Sequence, residues 1–89
     1  MQNVALITGA SSGIGRELAR LFAKDGHGVV LVARNQQQLE ALAQELTTQH
    51  GVNARVIVRD LAVHDAAATI VAALDEDDVA VDVLVNNAG

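Results

Sequence analysis

Three glycines, Gly9, Gly13 and Gly15, fall within seven positions of the stretch LITGASSGIGREL, which runs from Leu6 to Leu18. Glycine serves where φ must be positive or where the backbone must come close to another group. Gly9 permits a sharp bend at the end of an apolar run. Gly13 puts no Cβ in the path of a ligand approaching a helix N-terminus, and Gly15 lets that helix pack close to the preceding strand. Backbone N–H groups at such a turn, with the positive end of the helix dipole, make an anion site suited to a pyrophosphate. Ser11 and Ser12 add hydroxyls that can donate to phosphate oxygens. A tight turn holding no ligand is the alternative. The position between a strand and a helix, at the start of a βαβ unit, favours the phosphate reading.

Few other residues offer chemistry. Arg34 follows the second apolar run and carries a planar fork that pairs bidentately with phosphate; an exposed loop arginine is the alternative. Asp60, at the end of the third run, reads by itself as a helix-capping or turn acid. Arg16 lies in the first turn of the glycine-rich helix, close enough to touch a phosphate, although a solvated position suits it better. His27, His50 and His64 are widely spaced and sit at segment ends, so no shared metal site is expected, and His50 suits the carbonyls at its helix end. The acidic run DEDD, Asp75 to Asp78, reads as a solvated loop beyond a helix rather than a metal cage. Cysteine is absent, which removes disulfides and thiolate metal sites.

The elements that must position these residues follow from the changing apolar period. VALIT (Val4 to Thr8) and VVLVA (Val29 to Ala33) are short continuous apolar runs, the pattern of strands covered on both faces. ARVIVRD (Ala54 to Asp60) and VDVLV (Val81 to Val85) read as two more. From Gly13 the spacing is helical, with Ile14, Leu18, Leu21 and Phe22 expected on the buried stripe. Gly26 and Gly28 are expected to supply positive φ in the return to the second strand. Asn35 is a plausible N-cap for a helix carrying Leu39, Leu42, Ala43 and Leu46 and stopping near His50 and Gly51. Asp65 opens a third helix, with Ala67, Ile70, Val71 and Leu74 inward. The order is βαβαβαβ, which predicts an α/β domain over residues 1–89 with a parallel sheet wrapped by helices.

Composition narrows the partners. Hydrophobic residues make up 51% of the 89, but Phe22 is the only aromatic and the formal net charge is -5. Nucleic acid is therefore not an expected partner: phosphate polymers are repelled, and aromatic platforms for stacked bases are missing. Membrane association is not expected either. The opening MQNVALITG lacks a basic lead, and no run nears the roughly 20 apolar residues of a span. A cytoplasmic location fits this composition.

TGASSGIG (Thr8 to Gly15) resembles the T-G-x-x-x-G-x-G signature of the short-chain dehydrogenases/reductases. NNAG (Asn86 to Gly89), after a fourth strand, is similar to that family's second motif. The resemblance spans the whole chain but only the N-terminal part of a typical member. It implies a Rossmann-like sheet of strand order 3-2-1-4, a nicotinamide dinucleotide, and hydride transfer between that cofactor and an alcohol or carbonyl carbon. It implies that Gly9, Gly13 and Gly15 form the phosphate turn, with the N–H of Ile14 aimed at the pyrophosphate. Asp60 would contact adenine and Leu61 would pack on its ring. Asn87, Ala88 and Gly89 would lie near the ribose, and Asn86 would tie the fourth strand to its neighbour. At the end of the second strand Ala33 stands where an NAD-preferring member has an acid, and Arg34 follows, so NADP is favoured over NAD.

The resemblance also implies a Ser and a Tyr-x-x-x-Lys pair beyond the NNAG motif. The chain has no tyrosine, and Lys24, its one lysine, falls on the first helix. The expectation is the N-terminal part of an NADP-dependent oxidoreductase, truncated after the fourth strand and inactive by itself. A non-catalytic nucleotide-binding module and a sheet-edge interaction fragment are the alternatives. An open apolar edge at VDVLV predicts self-association.

Overall fold

The computed structural model describes residues 3–11, 13–58, 70, 72, 74, 76 and 81–85. Their elements are β1 (Val4–Thr8), α1 (Gly13–Lys24), β2 (Gly28–Ala33), α2 (Gln36–His50), β3 (Ala54–Val58) and β4 (Val83–Val85). The strands form one parallel sheet in the order β3-β2-β1-β4, as expected. Register runs Leu6↔Val30 and Leu6↔Leu84, with Val30↔Arg55 on the far side of β2.

Parallel strands require crossovers, and right-handed crossovers dictate the layers. The path steps outward from β1 to β2 to β3, with α1 and α2 on one face. It then returns across β1 to β4, so the intervening helical residues belong on the other face. Two clusters bear this out. Ala5, Ile7, Val29 and Leu31 pack with Ala19, Ala23, Leu39, Leu42 and Leu46. On the opposite face Leu6, Val30 and Val32 pack with Ile70 and Leu74. All six residues of β2 are buried, the reason its sequence is uniformly apolar.

Local signals fix the ends of α2. The Asn35 side chain accepts a hydrogen bond from the Gln38 N–H at 3.0 Å. Gly51 closes the helix in the left-handed region at φ 65°, its N–H donating to Thr47 O. Gly26 takes φ 89° in the return from α1. Gly28 does not adopt positive φ; it is a buried residue of β2, and its N–H donates to Asn3 O at 2.7 Å. One left-handed glycine suffices for that reversal.

The buried stripe of α1 also differs from expectation. Gly15, Ala19 and Ala23 face the sheet, Leu18 and Phe22 flank them half-buried, while Ile14 and Leu21 are 71% and 61% exposed. At about 100° per residue, Ile14 lies a quarter-turn or more from Gly15. Small residues spaced by four let the backbone approach the sheet, and large side chains there would hold it off.

Two further boundaries shift. Glu76 is helical and exposed, so it does not lie in a loop beyond the helix; Asp75, Asp77 and Asp78 fall outside the described residues, as do Asp65, Ala67 and Val71. β4 begins at Val83 because Asp82 bends to meet β1. Its N–H donates to Val4 O at 2.8 Å, and its carboxylate accepts from the Val4 N–H at 2.8 Å. No described helix is long and apolar enough to cross a membrane.

Replacing the α2 cap, Asn35→Ala, is expected to lower stability by about 1 kcal/mol in urea unfolding, whereas Asn35→Asp stays close to the parent.

Candidate functional site

The ends of β1 and β4 mark the point where the chain reverses its direction across the sheet. In open α/β sheets the ligand crevice lies outside the carboxyl ends of the strands at such a reversal. The glycine turn follows the carboxyl end of β1. Thr8 closes β1 as a buried polar residue, and its Oγ1 donates to Val85 O at 3.3 Å, bracing the two crevice strands against each other. Ala10 is fully buried and its N–H donates to Val32 O at 3.2 Å, pinning the turn to the end of β2. Neither brace was legible as a site feature, although a strand-ending Thr beside a glycine turn is a usable signal.

Between those anchors the backbone is left-handed twice, with φ 64° at Gly9 and φ 48° at Gly13. A Cβ built on Gly13 would meet nothing within 4 Å, so the space beside Gly13 is open among the described residues. The first-turn amides of α1 have no acceptors within the helix, and they carry its positive dipole end. Gly15 is buried beneath them and Ser11 is half-buried beside them. Ile14 is exposed at the helix entrance, not in the core position expected of its side chain. A glycine turn with no Cβ contact at Gly13, at a helix start whose first amides lack intrahelical acceptors, fits a diphosphate.

Arg34 lies in the bend after β2, exposed, and makes no ion pair among the described residues. Ala33 before it is buried, so no carboxylate occupies the end of β2. The turn after β1 and the turn after β2 thus share one edge of the sheet, each at the head of a helix. Ser12, Asp60, Leu61, Asn86, Asn87, Ala88 and Gly89 lie outside the described residues, so their expected roles are untested by geometry.

His27 sits away from this edge, in the return from α1 to β2. Its ring meets Phe22 edge-on, with centroids 5.2 Å apart, and its buried Nδ1 has no hydrogen-bond partner among the described residues.

Residues 3–89 match the short chain dehydrogenase family. The chain belongs to that family. It is 39% identical over 90 residues to a very-long-chain 3-oxoacyl-CoA reductase of Aspergillus clavatus, covering 96% of this chain and 25% of that protein. It is 38% identical to an uncharacterized oxidoreductase of Staphylococcus epidermidis, covering 99% of this chain and 36% of the relative. Among solved structures, L-sorbose reductase from Gluconobacter frateurii, complexed with NADPH and L-sorbose, superposes with a TM-score of 0.89 at 40% identity, covering 99% of this chain and 34% of that one. A short-chain dehydrogenase from Sphingobium yanoikuyae in complex with NADPH gives a TM-score of 0.85 at 44% identity, with 98% and 34% covered. The chain therefore spans about a quarter to a third of the length of these short-chain dehydrogenase relatives.

The left-handed Gly13 and the buried Gly15 should respond differently to substitution. Gly13→Ala meets open space and costs only the left-handed strain, about 1–2 kcal/mol. Gly15→Val forces a branched side chain between α1 and the sheet, with an overpacking cost of about 1–3 kcal/mol and loss of the α1 packing. Chemical unfolding, with near-ultraviolet absorbance of Phe22 as a packing probe, checks both.

Proposed function

We propose that this chain is the NADP-binding, N-terminal part of a short-chain oxidoreductase acting on an alcohol/carbonyl pair. The carrying observation is the open, doubly left-handed turn at the head of α1, paired along one sheet edge with an exposed Arg34 and no acid. When bound, the cofactor supplies or accepts the hydride. The chain's own residues bind and orient it. First-turn amides, the N–H of Ile14 among them, receive the diphosphate at the head of α1, with Ser11 and Ser12 as hydroxyl donors. Arg34 pairs with the 2′-phosphate, where an NAD-preferring site would set a carboxylate against the 2′-hydroxyl. Asp60 and Leu61 are assigned to the adenine, and Asn87, Ala88 and Gly89 to the ribose side, on family resemblance. The sorbose reductase and Sphingobium complexes both hold NADPH, which supports the same cofactor. No residue here is assigned the proton exchange with a substrate oxygen, since the 89 residues include no tyrosine.

A second reading has its own support. β4 is an edge strand among the described residues, and Leu84 on it is 53% exposed. An apolar, unpaired edge favours association through the sheet.

Calorimetric titration tests the cofactor reading. NADPH is expected to bind more tightly than NADH, and Arg34→Ala should weaken NADPH about 10- to 100-fold, the range for losing charged hydrogen bonds, with NADH little changed. Equal loss for both dinucleotides would remove Arg34 from the 2′-phosphate site.

A further inference from the structure

The two turns of the site hang on the N-termini of two neighbouring helices, so their separation depends on how α1 and α2 are set along their axes. The face that α1 turns to the core is Gly15, Ala19 and Ala23. That face lies against the sheet and shares one apolar cluster with Leu39, Leu42 and Leu46 of α2. A side-chain polar contact ties the two helices to each other directly. The Arg20 guanidinium donates through Nε to Glu45 Oε2 at 2.7 Å and through a terminal nitrogen to Glu45 Oε1 at 3.1 Å. Its other terminal nitrogen donates to Glu17 Oε1 at 2.6 Å, which holds the fork's plane from within α1. Both oxygens of Glu45 are thereby engaged by a residue 25 positions away on the other helix. A two-point fork resists sliding as well as separation, which a single point contact does not. The same pairing, aided by the charges of Arg16 and His50, holds the Glu45 carboxyl below its usual range.

We propose that Arg20 and Glu45 are positioning residues for cofactor choice: their fork sets the axial register of α1 against α2, and so the spacing between the diphosphate turn and Arg34. Arg20 lies seven residues into α1 from Gly13, and Glu45 nine into α2 from Gln36. At about 1.5 Å per residue the fork is ~10 Å and ~14 Å below the two helix heads. A dinucleotide bearing a 2′-phosphate spans both turns at once and is sensitive to that spacing. One without it engages the diphosphate turn but makes no phosphate contact with Arg34. The proposal rests on the cofactor reading above.

The test measures the ratio of NADPH to NADH affinity by calorimetry for the parent, Arg20→Lys, Glu45→Gln and Arg34→Ala, with thermal unfolding alongside. Arg20→Lys keeps the charge and loses the fork; Glu45→Gln keeps the shape and one acceptor. Each is expected to lower the ratio about threefold, the scale of a partly exposed ion pair, with NADH affinity held. A merely structural tie would weaken both dinucleotides together or shift only the unfolding temperature, and either result overturns the proposal. The two readings fail separately. If Arg34→Ala lowers the ratio while the fork variants leave it unchanged, the register role is wrong and the cofactor reading stands. If Arg34→Ala leaves the ratio unchanged, or the parent binds neither dinucleotide, the cofactor reading falls and takes this inference with it.

Discussion

The chain reverses from β1 into α1 through residues 9–12, and that short reversal is possible only because the backbone turns left-handed at Gly9 and again enters the helix left-handed at Gly13. An ordinary L-residue pays about 1–2 kcal/mol at each such position, so the sequence concentrates its glycines there. The geometry has a chemical by-product. The first amides of a helix have no acceptors within it, and anions bind where amides and dipole point together. Packing beneath the turn depends on the same economy of side-chain volume, since Gly15, Ala19 and Ala23 bring α1 down onto the sheet.

The sheet supplies what the turn cannot. Parallel order sends every strand-to-helix turn to one edge, so the bend after β2 arrives beside the turn after β1 without any contact designed between them. Thr8 and Ala10 then hold the turn to β4 and β2. Opposite faces are covered by separate clusters, and β2, fully buried between them, anchors the whole. Asp82 does for the other end of the sheet what Thr8 does near the site, tying β4 to β1 at the start of both strands.

Much of this was legible because its causes are local. VALIT announces a buried strand by composition, Asn35 and Gly51 announce the limits of α2 by cap chemistry, and the alternation of strands and helices dictates parallel order. The glycine turn is legible for the same reason, since its backbone demands name its residues. What escaped reading is what depends on partners far along the chain. A stripe of Ile14, Leu18 and Leu21 looks like a core face until the sheet selects the small residues instead. Asp82 and Thr8 are unremarkable until β1 and β4 meet, and no spacing rule pairs Arg20 with Glu45. Gly28 looks like turn punctuation in the sequence, whereas the strand uses it as a buried residue. The family resemblance reached Asp60, Leu61, Asn87, Ala88 and Gly89, residues the described structure does not reach.

The account stands on the turn as a diphosphate seat, and backbone amides report that directly. In a heteronuclear NMR titration with NADPH, the amides of Gly13, Ile14 and Gly15 should show the largest shifts, with those of α2 beyond its first turn nearly still. Saturable shifts centred on other elements, with these three amides unmoved, would contradict it.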